Sequence, residues 1–489
     1  MLITLILKEI HESIITFRFF IVTLLCLILV PLGGYVTMKD YVKRNEVYHE
    51  SVRLYEEQSQ GRINANFNAE AYRPPSELSI LAIGLEEDLP NKITTSRNGR
   101  FELTSQNETD NLLSRFFGKI DYLFIVSYVL SLVAFLFTFN AVSHEKESGT
   151  LRLMMSNSVP RWKIIIAKIC GNYAVFLAPL IVTQTMLLLI MFTGSEVVFS
   201  FDILIKTVVI FIAAYVFLLM MFTIGIFISI WTGRSTTSIM TLLFLWVFFV
   251  FVIPKTSPML AEILYPVKSK QVVSMEIKMA TDDIENELNE KRGELLDSVG
   301  EEVGVEMNGM IFFGQGDAEK RDEALARYNE IKGPLEQEYE DMKNNSIQNI
   351  ETDYNNRLSM QTNIARNLAR VSPVSCFMFL FSEIAGTGIL ENENVRENAV
   401  SFQNQVEQEI YDQININVYA TSDGARIQMP QPREGVDQQK LPVPRLTEYR
   451  RATLSEIVTA EWADILLLFL YTILFFMISF VSFIRYDVR

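Results

Sequence analysis

Three cysteines and three histidines in 489 residues are too few for two classes of protein. A secreted scaffold held by disulfides needs a denser cysteine framework. Cys26 and Cys170 fall in or beside apolar runs and Cys376 stands apart, so no intrachain disulfide is expected. Histidines this sparse, at positions 11, 49 and 144, do not make a His-rich metal site. Dense blocks of Lys and Arg are also missing, and the net charge is −15, which argues against nucleic acid as a partner. No P-loop is present: GQGDAEK (314–320) has the wrong spacing and lacks a Lys followed by Ser or Thr. HExxH, CxxC and GxSxG are absent too, so no catalytic residue, metal or cofactor is assigned to this chain. Disorder is excluded by 34 Phe and 18 Tyr.

What the chain does have is long runs without charge. Six windows hold at least 20 uncharged residues: 19–38, 122–143, 169–195, 207–233, 235–254 and 465–484. A hydrocarbon core of about 30 Å needs roughly 20 residues of helix, and inside lipid the backbone must satisfy itself. Segments such as 242–253 (LLFLWVFFVFVI) have no polar face at all, unlike buried helices of soluble proteins. The expectation is an all-α polytopic membrane protein with six transmembrane helices. The first window comes late and ends in PLGGY, so it is read as a span and not a cleaved leader. Asp121 and Asp464 sit at span edges and read as flanking charges.

Orientation follows from the short loops. The connection 144–168 carries Lys146, Arg152, Arg161, Lys163 and Lys168, whereas the loop near Glu196 and Asp202 is acidic. Basic loops stay cytoplasmic, so both termini are expected in the cytoplasm. Segments 39–119 and 255–461 then lie outside, with 11 basic and 13 acidic residues in the first and 21 and 36 in the second. The acidity of the protein belongs to these ectosegments. The first opens with a polar helical stretch (40–60), then shows SILAIGL (79–85) and GRFELT (99–104) as candidate strands, a small α+β part. The second carries apolar residues at helical spacing, first at Ile277, Ile284, Leu288, Leu295 and Val299, then from Leu325 to Leu358 with a kink expected at Gly333-Pro334. That pattern predicts a long helical hairpin. Its tip, near 300–316, holds the apolar run Met310, Ile311, Phe312 and Phe313, which either packs on the smaller ectosegment or docks an extracytoplasmic protein or apolar cargo.

The loop HEKESGTLRLMMSNSVPRWKIIIAK (144–168) is the most informative stretch. Glu145 and Glu147 precede Gly149-Thr150, which should break the helix leaving the second span. Thr150 is placed to N-cap a short amphipathic turn, Leu151, Arg152, Leu153, Met154 and Met155, and Pro160 to start the next helix ahead of Arg161. Such an element either fits a groove on a cytoplasmic partner or is simply a topogenic basic loop on the membrane surface.

Glu145, Glu147, Gly149, Thr150 and Leu151, followed by Pro160, Arg161 and Lys168, resemble the signature of ABC-2-type (type V-like) exporter permeases. Ala167 stands where that family usually has Gly, and the Pro of SVPR comes later than usual. MLITLILKEIHESIITFRFF (1–20) is similar to the family's amphipathic N-terminal connecting helix (1–18 here). The Ser-Pro of 369–388 resembles the segment before the last span, and 73–85 looks like the ectosegment of the longer permeases grouped with nitrous-oxide-reductase and multicopper-enzyme maturation systems. The resemblance implies a permease powered by a separate ABC ATPase that binds ATP and Mg, paired with a second permease chain, in a bacterial inner membrane. It implies contacts to the ATPase from Glu145, Glu147 and Arg152, an apolar contact from Leu151, Leu153 and Met154, and bracing by Lys8 and Glu9. The rival readings are a non-transporting membrane scaffold or sensor with a helical ectodomain, and an intramembrane enzyme, which lacks a midplane catalytic pair.

Overall fold

The computed structural model describes residues 2–60, 67–96, 100–105, 119–156, 159–193, 200–303, 318–409, 414–415, 418–421, 424–427, 431–432, 443–446 and 449–486. The chain divides into two units, one of Met1–Thr256, Ala369–Ile410 and Leu441–Arg489, the other of Ser257–Leu368 and Tyr411–Lys440.

The first unit is built on helices. α1 (Leu2–Ile14) is followed by α2 (Phe17–Ser59), whose 43 residues make a rod of about 65 Å, twice the hydrocarbon thickness. The uncharged window 19–38 occupies its first half and the charged 40–60 its second. After the small sheet described below comes the second span, Tyr122–Glu147, made of a π turn (Ile125–Leu130), α3 (Ser131–Thr138) and, beyond a turn, α4 (Ser143–Glu147). Then follow α5 (Thr150–Ser156), α6 (Arg161–Thr193), α7 (Phe201–Trp231) and α8 (Ser235–Val247), which leads through a π turn (Phe248–Val252) into α9 (Ile253–Leu264). α7 is mostly buried. Phe217 stacks on Phe377 at 4.3 Å, Phe222 meets Phe176 and Phe137, and Gly225 admits α3 so closely that a Cβ would stand 1.8 Å from Thr138 Oγ1. Such packing of small residues is how helices associate where no hydrophobic difference drives them.

Among the described residues seven helices, not six, are long and apolar enough to cross a membrane. The added one, Pro373–Glu409, joins two helices in the same unit: α12 (Pro373–Ile384) and α13 (Ile389–Glu409), broken at Gly386, whose φ is +67°. α12 has 12 residues, about 18 Å, well short of a span. Ahead of α12, Arg370 forms a two-pronged ion pair with Asp464 (3.0 and 2.7 Å), and Ser372 Oγ donates to Phe249 O (2.6 Å), within the second π turn. A π turn shifts the helix ladder and releases such an acceptor. Asp464 belongs to α15 (Trp462–Ile484), which follows α14 (Leu454–Ala460) and presents most of its surface outward.

Also in this unit, β1 (Ala69–Tyr72), β2 (Lys92–Ser96) and β3 (Arg100–Thr104) form an antiparallel sheet in sequence order, with Ala69 opposite Thr95 and Ile93 opposite Leu103. GRFELT is thus a strand, but SILAIGL is not. Its start belongs to a 3₁₀ turn (Glu77–Ile80), and Ile80, Leu81 and Ala82 are buried. A short apolar run without alternation does not distinguish a strand from a buried turn. Here the backbone is satisfied from outside the sheet, for Leu81 O accepts from Leu123 N and Ile83 N donates to Asp121.

The second unit carries α10 (Lys270–Val303) and α11 (Ala318–Ala369). Lys343–Glu285 (2.5 Å), Tyr339–Glu287 (3.0 Å), Arg292–Glu336 and Arg327–Glu302 (2.9 Å) pair rising numbers on one helix with falling numbers on the other, the register of an antiparallel hairpin. α11 is assigned as one helix through Pro334. Met310, Ile311, Phe312 and Phe313 lie outside the described residues.

Candidate functional site

The segment 139–168 is fastened to the ends of several helices. Ser229 Oγ, near the end of α7, accepts from Val142 N and Ser143 N, both at 3.0 Å, where the second span breaks before α4. Arg18, at the start of α2, donates to Asn140 (2.5 Å) and lies 4.6 Å over Phe139. Lys146 Nζ donates to Ile230 O and Thr232 O (3.1 Å), neutralising the carbonyl end of α7, and also lies over Tyr486. Glu147 accepts from both the backbone N and the hydroxyl of Ser235 (2.9 Å each), capping the first turn of α8. Arg161 donates to Ile484 O (2.6 Å) and Tyr486 O (3.0 Å) at the end of α15. Lys146, Glu147 and Arg161 each stand at a helix terminus of opposite polarity.

The buried centre of this assembly is Lys168, with only 4 % of its side chain exposed. It pairs with Glu145 at 2.7 Å and with Glu9 of α1 at 3.2 Å. Helix α6 begins at Arg161, two turns before Lys168, so this lysine is inside the helix and not at its edge. Gly171 lets α1 lie against α6, since a Cβ there would stand 2.7 Å from that of Glu9. Ser13 donates to Asn172 Oδ1 one turn further on. Lys8 points away and forms an exposed pair with Glu12 at 3.2 Å.

Between α4 and α5, Gly149 has φ +74°, the left-handed conformation that ends a helix at low cost only for glycine. Thr150 does not cap α5 as expected. Its hydroxyl meets Ser148 Oγ (2.8 Å) and donates back to Glu145 O (3.4 Å), closing the end of α4. α5 has one inward and one outward side. Leu151 is buried with Val142, Ile164, Ile165 and Phe483, Met154 packs against the same cluster, and Arg152 and Leu153 are exposed, Leu153 by 71 %. Pro160 is exposed and its carbonyl accepts from Lys163 N, starting α6.

The residues singled out in the loop divide into those bonded to the chain's own helices and those on its surface. Glu145, Glu147 and Arg161, expected among the contacts to an ATPase, bond to the chain's own helices, and Leu151, expected to give an apolar contact, faces inward. Lys146, Lys168 and Ser235 belong to the site, although the sequence marks Lys146 only as a basic charge, Lys168 as a basic charge and a signature residue with no partner assigned, and Ser235 not at all. The signal in the sequence for Lys168 is a lone cation bordering a long apolar window.

Seven helices long and apolar enough to cross a membrane, among the described residues, make this a multi-pass membrane protein. The chain matches the ABC-2 family transporter protein family over residues 3–488 and belongs to it, which makes it a transmembrane subunit of an ABC transporter. A search among curated proteins returned no significant match.

Proposed function

We propose that the chain is the permease of a transporter whose ATPase is a separate polypeptide, and that α5 is the surface through which the ATPase moves it. In this reading six helices cross a bacterial cytoplasmic membrane, α12 dips in without crossing, and the clasped loop and both termini lie in the cytoplasm. Two ATPase subunits bind ATP and Mg, and two permease chains, identical or paralogous, complete the complex. The observation that carries the proposal is the division of labour on the loop. Its charged residues grip α1, α6, α7, α8 and α15, while Arg152 and Leu153 remain on the surface. A push on that surface reaches five helices through short contacts without first deforming the loop.

The work done is export of an apolar or peptide-like substrate, or motion of the ectosegments against an extracytoplasmic protein. The likeness of 73–85 to maturation permeases favours the second outcome. Co-expression with P-loop ATPases encoded beside the gene tests the proposal. Leu153→Glu should leave the chain folded, because the residue is exposed, yet weaken ATPase capture by about ten-fold or more, the equivalent of one apolar anchor. Undiminished capture and coupled ATP hydrolysis in that variant would sink the assignment of α5. Failure of the wild type to retain any ATPase would favour the scaffold or sensor reading.

A further inference from the structure

Two hydrogen bonds tie α8 and the π turn after it to their neighbours. Trp246 Nε1 donates to Ser131 Oγ of the second span (2.9 Å), and Phe249 O accepts from Ser372 Oγ ahead of α12 (2.6 Å). Tyr128 of the second span also meets Phe251, with ring centroids 5.6 Å apart. Each of the two serines has a twin one helical turn away. Ser127 stands four residues before Ser131, and Ser375 three residues after Ser372, spacings that share a helix face. Both twins are buried, at 0 and 3 % exposure, and neither hydroxyl has a hydrogen-bond partner among the described residues. A buried hydroxyl left unpaired costs stability and calls for a reason.

The twins also lie in the same direction. Ser127 is nearer than Ser131 to Tyr122, at the head of the second span. Ser375 is nearer than Ser372 to Phe381, whose ring packs on that of Tyr122 at 5.9 Å. α8 starts beside Glu147, at the other end of the second span, and so points the same way. Ser238, whose hydroxyl is also unpaired among the described residues, is carried by α8 itself and belongs to neither neighbour.

We propose that Ser131 and Ser127 on one side of α8, and Ser372 and Ser375 on the other, are two-position rungs along which α8 slides by one turn toward Tyr122. Trp246 N–H passes from Ser131 to Ser127 as Phe249 O passes from Ser372 to Ser375. Three or four residues of helix make a stroke of about 4.5–6 Å. One-turn steps of this kind are a known way for packed helices to change register. Both hydrogen bonds exist at either end of the stroke, so none is lost where no water can replace it. Glu147, which caps the first turn of α8, ties the stroke to the loop that bears α5. What drives the slide rests on the ATPase reading above; the rungs themselves do not.

The test is thiol cross-linking of the full chain in detergent, with Cys26, Cys170 and Cys376 replaced by alanine. Tyr128→Cys with Phe251→Cys reports the present register. Phe124→Cys with Phe251→Cys reports the slid one, because Phe124 stacks on Tyr128 (4.7 Å) one turn nearer the head of the span. Ser131→Ala with Ser372→Ala should raise the rate of 124–251 linking several-fold relative to 128–251 linking. Ser127→Ala with Ser375→Ala should lower it several-fold. That second pair should leave the melting midpoint at or above the wild-type value, since its hydroxyls are unpaired at rest. A 124–251 rate indifferent to both pairs of substitutions overturns the proposal, and so does a lower midpoint in Ser127→Ala with Ser375→Ala. Failure to retain an ATPase counts against the reading of α5 and leaves these rates, measured on the chain alone, to decide the slide.

Discussion

Replacing Lys168 by methionine removes the cation between two carboxylates and keeps the length of the side chain. At 2.7 and 3.2 Å from Glu145 and Glu9, its two attractions amount to about 5–6 kcal/mol each at an effective dielectric of about 20. Most of that is offset in the wild type by desolvating three charges, so the pair energies do not sum to stability. Removing the cation alone leaves both carboxylates buried without their counter-charge, and breaking a buried pair in this way costs about 3–5 kcal/mol. The expected outcome is a loss of several degrees in the melting midpoint of the detergent-solubilised chain and easier proteolysis of α1. The control is the triple change Glu9→Gln, Glu145→Gln, Lys168→Met, which deletes the charges together. It should recover most of the loss, because neutral isosteres need no counter-charge. If Lys168→Met melts within experimental error of the wild type, or the triple variant is as unstable as the single one, the three residues are not an ionic clasp.

Two further outcomes follow from other contacts. Burial pushes the Asp121 carboxyl up to about 6, against the pull of hydrogen bonds from Phe124 N and Ile83 N. The folded chain therefore holds this proton more tightly than the unfolded one, whose carboxyl titrates near 3.9. The stability Asp121 contributes is complete below about pH 4 and is lost as pH rises through about 6, on the order of 3 kcal/mol in total. Melting curves between pH 4 and 7 should flatten in Asp121→Asn, and an unchanged slope would refute the assignment. Gly225→Ala forces a methyl into Thr138 Oγ1, and overpacking of this kind costs about 1–3 kcal/mol, read as a lower melting midpoint. Adding Thr138→Ala to that variant should restore part of it, and no recovery would place the strain elsewhere.

The spans are legible in the sequence because a soluble helix of 20 residues must show water a charged or polar face, and these windows have no charge to show. Each of the six is mostly helical where described, though the second breaks at 139–142 and the fourth runs past the end of α7 at Trp231. Gly149 is legible for a local reason too, since a glycine between two short amphipathic runs marks a helix end. The roles of Glu145 and Glu147 are not. Glu145 meets a lysine 23 positions on, Glu147 meets a serine 88 positions on, and only the folded bundle brings these partners together. Asp464 and Asp121 read as flanking charges, yet one is bound to Arg370 and the other caps a helix while holding Ile83. Segment 79–85 reads as a strand and is not one, because its backbone is met by Leu123 N, the side chains of Asp121 and Thr37, and Thr387 O, and not by a neighbouring strand.

Helix α2 is also a lever. It starts beside the clasped loop at Arg18, reaches the sheet-bearing region where Thr37 donates to Ile80 O and Arg44 to Ser79, and runs on to Ser59. Between these points, Pro31 weakens the helix ladder, while Gly33 and Gly34 bring the backbone against Ile120 and Leu187, where a Cβ would stand 3.0 and 2.1 Å from them. A rod held closely near its middle has a fulcrum there. Measured from Gly33 the arms are about 24 Å to Phe17 and about 39 Å to Ser59, so a tilt of about 5° would move the two ends by roughly 2 and 3 Å in opposite directions. A displacement applied at the Phe17 end would then reappear at the Ser59 end reversed and somewhat enlarged.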